Sequence, residues 1–338
     1  MDQHLRRESR RPTPYLWVRG SSDPHQARCR EAASPCGGNF LRMIHAASLT
    51  RPLLTALALL FVAATPNLAS EDEADDPIRV LFLSKSSGFQ HSAIKRTDGH
   101  PSHVDTVLAQ VAADRGFEIT STKDAGLINR AQLANFDVVM FYTTGDLTQR
   151  GGAGEGIFRG DGNPPMSADG VSDLIAWIEA GGGFVGFHPA TDTFHGENDE
   201  VTPYVGMIGG EFTHHGRQFP GIVRVADARH PTMKSVEDGW KIMDEWYLFK
   251  NLAEDKLHVL ALMDPGEERA KQEVYDIAPY PIAWCRELGG GRVLYNAMGH
   301  REDVWDHEMF QAWVGDTIEW AAGEGEAAAA PNWGDVVP

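Results

Sequence analysis

Beyond residue 77 the chain alternates short runs of β-branched and aromatic residues with longer stretches in which apolar residues recur every three or four positions. That alternation predicts strands interleaved with helices, and hence an α/β domain built on a mostly parallel open sheet with helices on both faces. Strands are expected over residues 78–84, 117–122, 136–142 and 184–187. A first helix is expected over 102–115, where Val104, Val107, Leu108 and Val111 share one face and Gly116 closes it. A second should start at Ser167 as cap, carry Val171, Leu174, Ile175 and Ile178, and end at the glycines 181–183. Later strands at 221–225, 258–263, 281–285 and 292–297 are expected to extend the same sheet, before a last helix over 308–322. The Gly-rich stretch 143–165 is too long for an ordinary connection.

Residues 1–42 lack this periodicity, are Arg-rich, and hold two of the three cysteines, Cys29 and Cys36. They read as a disordered extension or an over-extended translation start. From Met43 the parts of a secretory signal follow over 43–70: Arg51, an apolar run from Leu53 to Ala64, then small residues with cleavage near Ala69 or Ser70. The run is about a dozen residues, short of the ~20 that span a bilayer, so export to the periplasm or exterior is expected without stable membrane insertion. Residues 71–77 form an acidic linker, 78–322 the folded domain, and 323–338 a flexible tail rich in Gly, Ala and Pro.

Without residues 1–70 the chain keeps 21 basic and 44 acidic residues, a formal charge of −23. Such a surface repels polyanions, and with no basic stripe it disfavours nucleic acid as a partner. A neutral small molecule or a cation suits the field. Only Cys285 remains in this part, which excludes an intrachain disulfide. Nothing in the sequence speaks to the oligomeric state.

In open parallel sheets ligands bind beyond the carboxyl ends of the strands. The strand ends predicted here lead into His91, into Thr143 and Thr144, into His188 and Asp192, and into Gly299 and His300. Three histidines from separate strands thus leave one edge. Each alone is most simply a loop residue bonded to backbone; together they point to a site. His188 occupies the turn after a strand, the position at which a nucleophile elbow presents Ser or Cys. An imidazole there can act as general acid or base, as a metal ligand, or as a donor to a substrate oxygen. Cys285 falls inside a predicted strand and reads as a small buried apolar residue.

These residues fall in ordered motifs: Ser87-Gly-Phe-Gln-His91, Gly186-Phe-His-Pro-Ala-Thr-Asp192, Gly209-Gly-Glu-Phe-Thr-His214, His230-Pro231, Asp244-Glu-Trp-Tyr247, Tyr280-Pro-Ile-Ala-Trp284 and Gly291-Arg-Val-Leu-Tyr-Asn-Ala-Met-Gly-His300. Over about 78–322 the chain so resembles the ThuA-like (trehalose utilisation) family, whose flavodoxin-like fold is similar to the class I glutamine amidotransferase sheet without its catalytic Cys. The resemblance implies disaccharide catabolism through 3-keto sugar intermediates and no glutamine amidotransfer. It implies a polar site of His91, His188, Asp192, His214, Glu245 and His300, with Tyr247 and Arg292 as further candidates.

Two functions are open at this point. One is an exported enzyme acting on disaccharide or keto-glycoside derivatives as isomerase, lyase or hydrolase, with His188 and Glu245 as acid and base and His91 and His300 orienting oxygens. Asp192, His214, Tyr247, Arg292 and Trp284 would then bind the sugar. A variant holds zinc or manganese among His91, His188, His214 and Glu245. The other is a carbohydrate-binding module without catalysis, with Trp240, Trp246, Trp284 and Trp305 as stacking platforms. Of His214 and His215, strand alternation lets at most one face the site, and the family motif favours His214.

Overall fold

The computed structural model describes residues 76–152, 158–198 and 200–338. The expected extension 1–42 and signal 43–70 lie outside the described residues. Among those residues no helix is long and apolar enough to cross a membrane.

Eleven strands occur among the described residues. They are β1 Arg79–Leu83, β2 Glu118–Thr122, β3 Val138–Phe141, β4 Gly183–Phe187, β5 Glu211–His215, β6 Phe219–Val225, β7 Trp240–Asp244, β8 Tyr247–Lys250, β9 His258–Asp264, β10 Tyr280–Leu288 and β11 Gly291–Asn296. Nine form one sheet in the order β2-β1-β3-β4-β11-β10-β9-β6-β7, while β5 and β8 pair separately. The helices used below are α1 His103–Arg115, α2 Arg130–Leu133, α3 Gly170–Glu179, α4 Pro203–Ile208, α5 Glu302–Trp305 and α6 Glu308–Ala321.

The five strands from β2 to β11 run parallel, and β3 and β4 are buried at every position, as strands covered on both faces must be. The chain moves outward from β1 to β2 through α1, and the opposite way from β3 to β4 through α3. With right-handed crossovers those two directions place the helices on opposite faces. Accordingly α1 packs with α6, and α3 with α2 and α4. Ser102 accepts from the Asp105 N–H while the Asp105 carboxylate accepts from the Ser102 N–H, which fixes the start of α1. Gly116 ends it at φ 74°.

The expectation of a mostly parallel sheet holds for only this half. β10, β9, β6 and β7 are joined to β11 and to one another by antiparallel ladders, so the sheet is mixed. The reason lies in the connections. β10 and β11 are separated by Gly289 and Gly290 alone, with Gly289 at φ 61°, and a two-residue turn can only reverse the chain. Two further expectations change. Ser167 makes no side-chain cap for α3, whose N-cap is Asp169. The tail expected to be flexible is held in place: the Asn332 amide exchanges two hydrogen bonds with Val259 (2.6 and 3.0 Å), and Ala330 O accepts from His258 Nδ1.

β4, which delivers His188, starts at a position with no room for a side chain: a Cβ on Gly183 would lie 2.3 Å from the Ala321 carbonyl oxygen at the end of α6. Gly183→Ala must therefore shift backbone, and a loss of about 2 kcal/mol is expected as a lower urea midpoint with unchanged slope.

Candidate functional site

His91 follows β1, His188 ends β4, and His300 follows β11, so strand direction alone sends all three to the carboxyl edge of the parallel half. Their rings form a near-equilateral triangle, with centroids 5.0, 5.1 and 5.1 Å apart and each pair edge to face. Glu245 reaches the same point from the turn between β7 and β8. Its Oε2 lies 3.1 Å from His300 Nδ1 and 3.7 Å from His188 Nε2, and Nε2 of His188 is 3.2 Å from His300 Nδ1. One nitrogen or oxygen from each of the four side chains lies within 4.8 Å of all the others.

Backbone and neighbours hold each member. His188 sits at φ 38°, a conformation that costs energy for a residue with a Cβ and that recurs at functional turns. Its carbonyl accepts from Tyr295 Oη at 2.7 Å, and its Nδ1–H donates to the Ala297 carbonyl at 2.8 Å. That bond fixes the tautomer and leaves the Nε2 lone pair facing the cluster. Tyr247 lies 4.2 Å from the same ring. The turn before His300 needs glycine: Gly299 is at φ 106°, and its carbonyl accepts from Tyr142 Oη and Trp305 Nε1. Its N–H donates to Asp244 Oδ2 at 2.7 Å, which ties the β11 turn to the residue before Glu245.

His91 and His188 are buried, whereas the His300 side chain is 19% and the Glu245 side chain 10% exposed, so the cluster opens to solvent on that side. Burial, reinforced by the neighbouring imidazoles, holds His91 well below the ordinary histidine value. Burial likewise lowers His188, against the opposing pull of Glu245. Burial alone would lift the Glu245 carboxyl, but hydrogen bonds and charge from His188 and His300 outweigh it and hold it far down in its range. Asp244 is pushed up to about 7 by burial, against its two backbone hydrogen bonds. The outcome is two imidazoles, His91 and His188, biased to the neutral form and facing an ionised carboxylate, as ligation of a metal requires.

The ThuA family profile, described as trehalose utilisation, matches residues 79–321. The chain belongs to the ThuA family. A ThuA-like protein from Bacteroides uniformis, 18% identical, has the same fold: the alignment covers 78% of this chain and 98% of the other at a TM-score of 0.55. A ThuA-like protein from Parabacteroides merdae, 15% identical, covers 73% and 91% at 0.54. No curated protein matches this ThuA chain.

Of the residues singled out from sequence, this ThuA fold brings together His91, His188, Glu245 and His300, with Tyr247 against them. Asp192 lies at the same edge, bonded to His195 Nε2 at 2.7 Å, while His195 Nδ1 meets the buried Glu211 at 2.9 Å. Between two carboxylates, His195 is raised above its ordinary value, chiefly by the Asp192 bond. The structure does not bring in His214, which is exposed and bonds Thr213 Oγ1. A bulge between Phe212 and His214 shifts the alternation by one residue, so His215 takes the place opposite Tyr247 and lies 3.3 Å from Glu245. Arg292 is at the amino end of β11, opposite the start of β4, where its guanidinium binds the carbonyls of Trp320, Glu324 and Gly325. Trp284 is fully buried and donates to Ile208 O. Trp246 and Trp305 are fully buried and Trp240 is 9% exposed, so none of the four tryptophans can be a stacking platform.

Sequence reasoning missed His195, His215 and Asp244 as parts of this edge. Asp244 stood in a quoted motif and was legible; the bulge that selects His215 was not.

A buried imidazole held below the unfolded value of about 6.5 contributes stability that is complete above that pH and is lost as pH falls toward the folded value. The urea midpoint in EDTA is therefore expected to drop between pH 7.5 and pH 5. His91→Phe, which keeps a ring but removes a titrating site, should flatten that slope; an unchanged slope contradicts the neutral state assigned to His91.

Proposed function

We propose that this ThuA chain is an exported carbohydrate-processing enzyme, acting on disaccharide or keto-glycoside derivatives, whose centre is a divalent cation held by His91, His188, Glu245 and His300. The observation that carries the reading is the convergence of three imidazoles and one carboxylate on a single point from four separate segments. Two details support the ion. The Nδ1–H of His188 is spent on a backbone carbonyl, the arrangement that orients a ligating histidine. His91 Nδ1 is buried with no hydrogen-bond partner, and such a group is costly unless something else satisfies it.

Three nitrogens and one oxygen suit zinc or manganese. When bound, the ion would act as a Lewis acid on a substrate carbonyl or hydroxyl oxygen. The chain's own contribution is then to bias His91 and His188 to the neutral form, to hold Glu245 ionised, and to leave the side with His300 and Glu245 open for a sugar. The trehalose-utilisation description of the family supports a sugar as the substrate. An open cleft of about 490 Å³ beside Gly145, Asp146, Phe194 and His195 borders the same sheet edge and offers room for the rest of a disaccharide.

A metal-free reading also has an observation behind it. His300 Nδ1 lies within hydrogen-bond reach of both Glu245 and His188, so the three could pass a proton as an acid and base relay.

The two readings separate experimentally. Protein purified without a His tag is expected to carry about one equivalent of zinc or manganese per chain, and to turn over 3-keto-trehalose. Chelation should abolish turnover and re-addition restore it, while His188→Ala or Glu245→Ala should cost about a hundredfold or more. Full activity with substoichiometric metal ends the metal reading and leaves the relay. Turnover unchanged in both variants ends the assignment of this cluster as the reactive centre.

A further inference from the structure

The Gly-rich insertion after β3 presents the most exposed large apolar side chain among the described residues. Phe158 is 73% exposed, and its ring lies 6.0 Å from that of Phe89, tilted by 55°. Phe89 in turn stands edge-on to His91 at 4.8 Å. Aromatic surface therefore runs from solvent through Phe158 and Phe89 to the first imidazole of the cluster.

The stem that carries Phe158 is bound tightly to the segment leading into His91. Asp161 accepts from the Ser86 N–H at 2.9 Å, and its own N–H donates to Ser86 O at 2.8 Å. The fully buried ammonium of Lys85 donates to Arg150 O and Asn163 O, both at 2.9 Å, and so grips the two sides of the stem while facing Asp161 at 3.6 Å. Gly160 lies so close that a Cβ there would come within 2.7 Å of Ser86 O, and it sits at φ 75°. Burying a lysine and an aspartate is costly unless both are paired, and here the pairing sets one position for the stem. An exposed phenylalanine on a free loop would be a commonplace; one carried on a stem clamped beside the reactive cluster has a defined place relative to it.

We propose that Phe158 and Phe89 form the stacking subsite for a pyranose ring, taking its C–H face on their rings while its oxygens are directed toward the cluster. Pyranose rings have one apolar face and a polar rim, and an aromatic wall beside a few placed polar groups is the usual way to hold such a molecule. The exposed tryptophan platforms expected from sequence are absent among the described residues, so this role falls to the phenylalanine pair. The inference rests on the reading that the cluster processes a carbohydrate.

The test is calorimetric titration of the metal-loaded protein with trehalose and 3-keto-trehalose, with metal content measured in parallel. Phe158→Ala is expected to weaken binding about tenfold, the order of one aromatic contact, with metal still stoichiometric, and Phe158→Trp to restore it. Because Phe158 is exposed, its removal leaves the core intact. Equal binding by Phe158→Ala and the parent overturns the subsite alone. No binding of either sugar by a parent protein that holds its metal overturns the subsite together with the carbohydrate reading, while leaving the metal site standing.

Discussion

Three imidazoles meet because β1, β4 and β11 point the same way. In a parallel ladder every strand delivers its next residue to the same edge, so residues far apart in sequence, such as His91 and His300, become neighbours without any long loop to guide them. The strand order makes this edge more than a row of loops. The chain leaves β1 toward β2 on one side and later returns to β3 on the other, the kind of switch point at which open sheets bind ligands, and the segment after β1 carries His91. Reversing β11 would carry His300 to the far edge and dissolve the triangle.

The antiparallel half supplies what parallel strands alone cannot. Glu245 comes from the turn after β7, the last strand of the sheet, and the Asp244 carboxylate bonds the Gly299 N–H to bring that turn against the β11 end. One buried carboxylate thus fastens the turn carrying Glu245 to the turn carrying His300. Asp244 accepts two backbone N–H groups and touches no other side chain by hydrogen bond, so its work is to fix two main-chain segments. Its acidity, lowered by burial, suits a group whose partners are neutral amides.

Much of this was legible along the chain, and the parts that were not share a cause. The continuous apolar runs of β3 and β4 and the caps of α1 announce a parallel core through local pattern, and the placing of His91, His188 and His300 follows from strand ends. The direction of β10 was also written locally, in Gly289-Gly290, but that signal weighs little against the expectation that strands simply extend an existing sheet. The bulge at Thr213 is different. It depends on how β5 meets β8, a pairing between segments more than thirty residues apart, and a single extra residue turns His215 toward Glu245 instead of His214. The tryptophans fail for a related reason: an indole's sequence neighbourhood does not reveal whether its large apolar surface is covered, and in this fold four candidate platforms became core. Arg292 precedes the apolar part of β11 by one residue, which places it at the end of the strand opposite His300, so strand direction itself argued against it.

The charge of the chain and the design of the cluster bear on each other. The chain as a whole has a formal charge of −18, and residues 71–338 alone are more acidic still, which favours cations near every opening of the surface. On the metal reading proposed above, a site for a cation in such a field needs few formal charges of its own, and the cluster has one carboxylate against three imidazoles. Additional carboxylates would bind an ion more strongly but would also neutralise its charge and weaken its pull on a substrate oxygen. At the neighbouring edge the opposite choice appears: His195 lies between Asp192 and Glu211, where two carboxylates favour the charged imidazolium and compensate it within the protein. Two histidine environments at one sheet edge are thereby set apart by burial and by the count of facing carboxylates. Burial lowers His188 and His91 and leaves them lone pairs to give; His195 is raised and has both ring nitrogens facing carboxylates, which sets it apart from the proposed ligands.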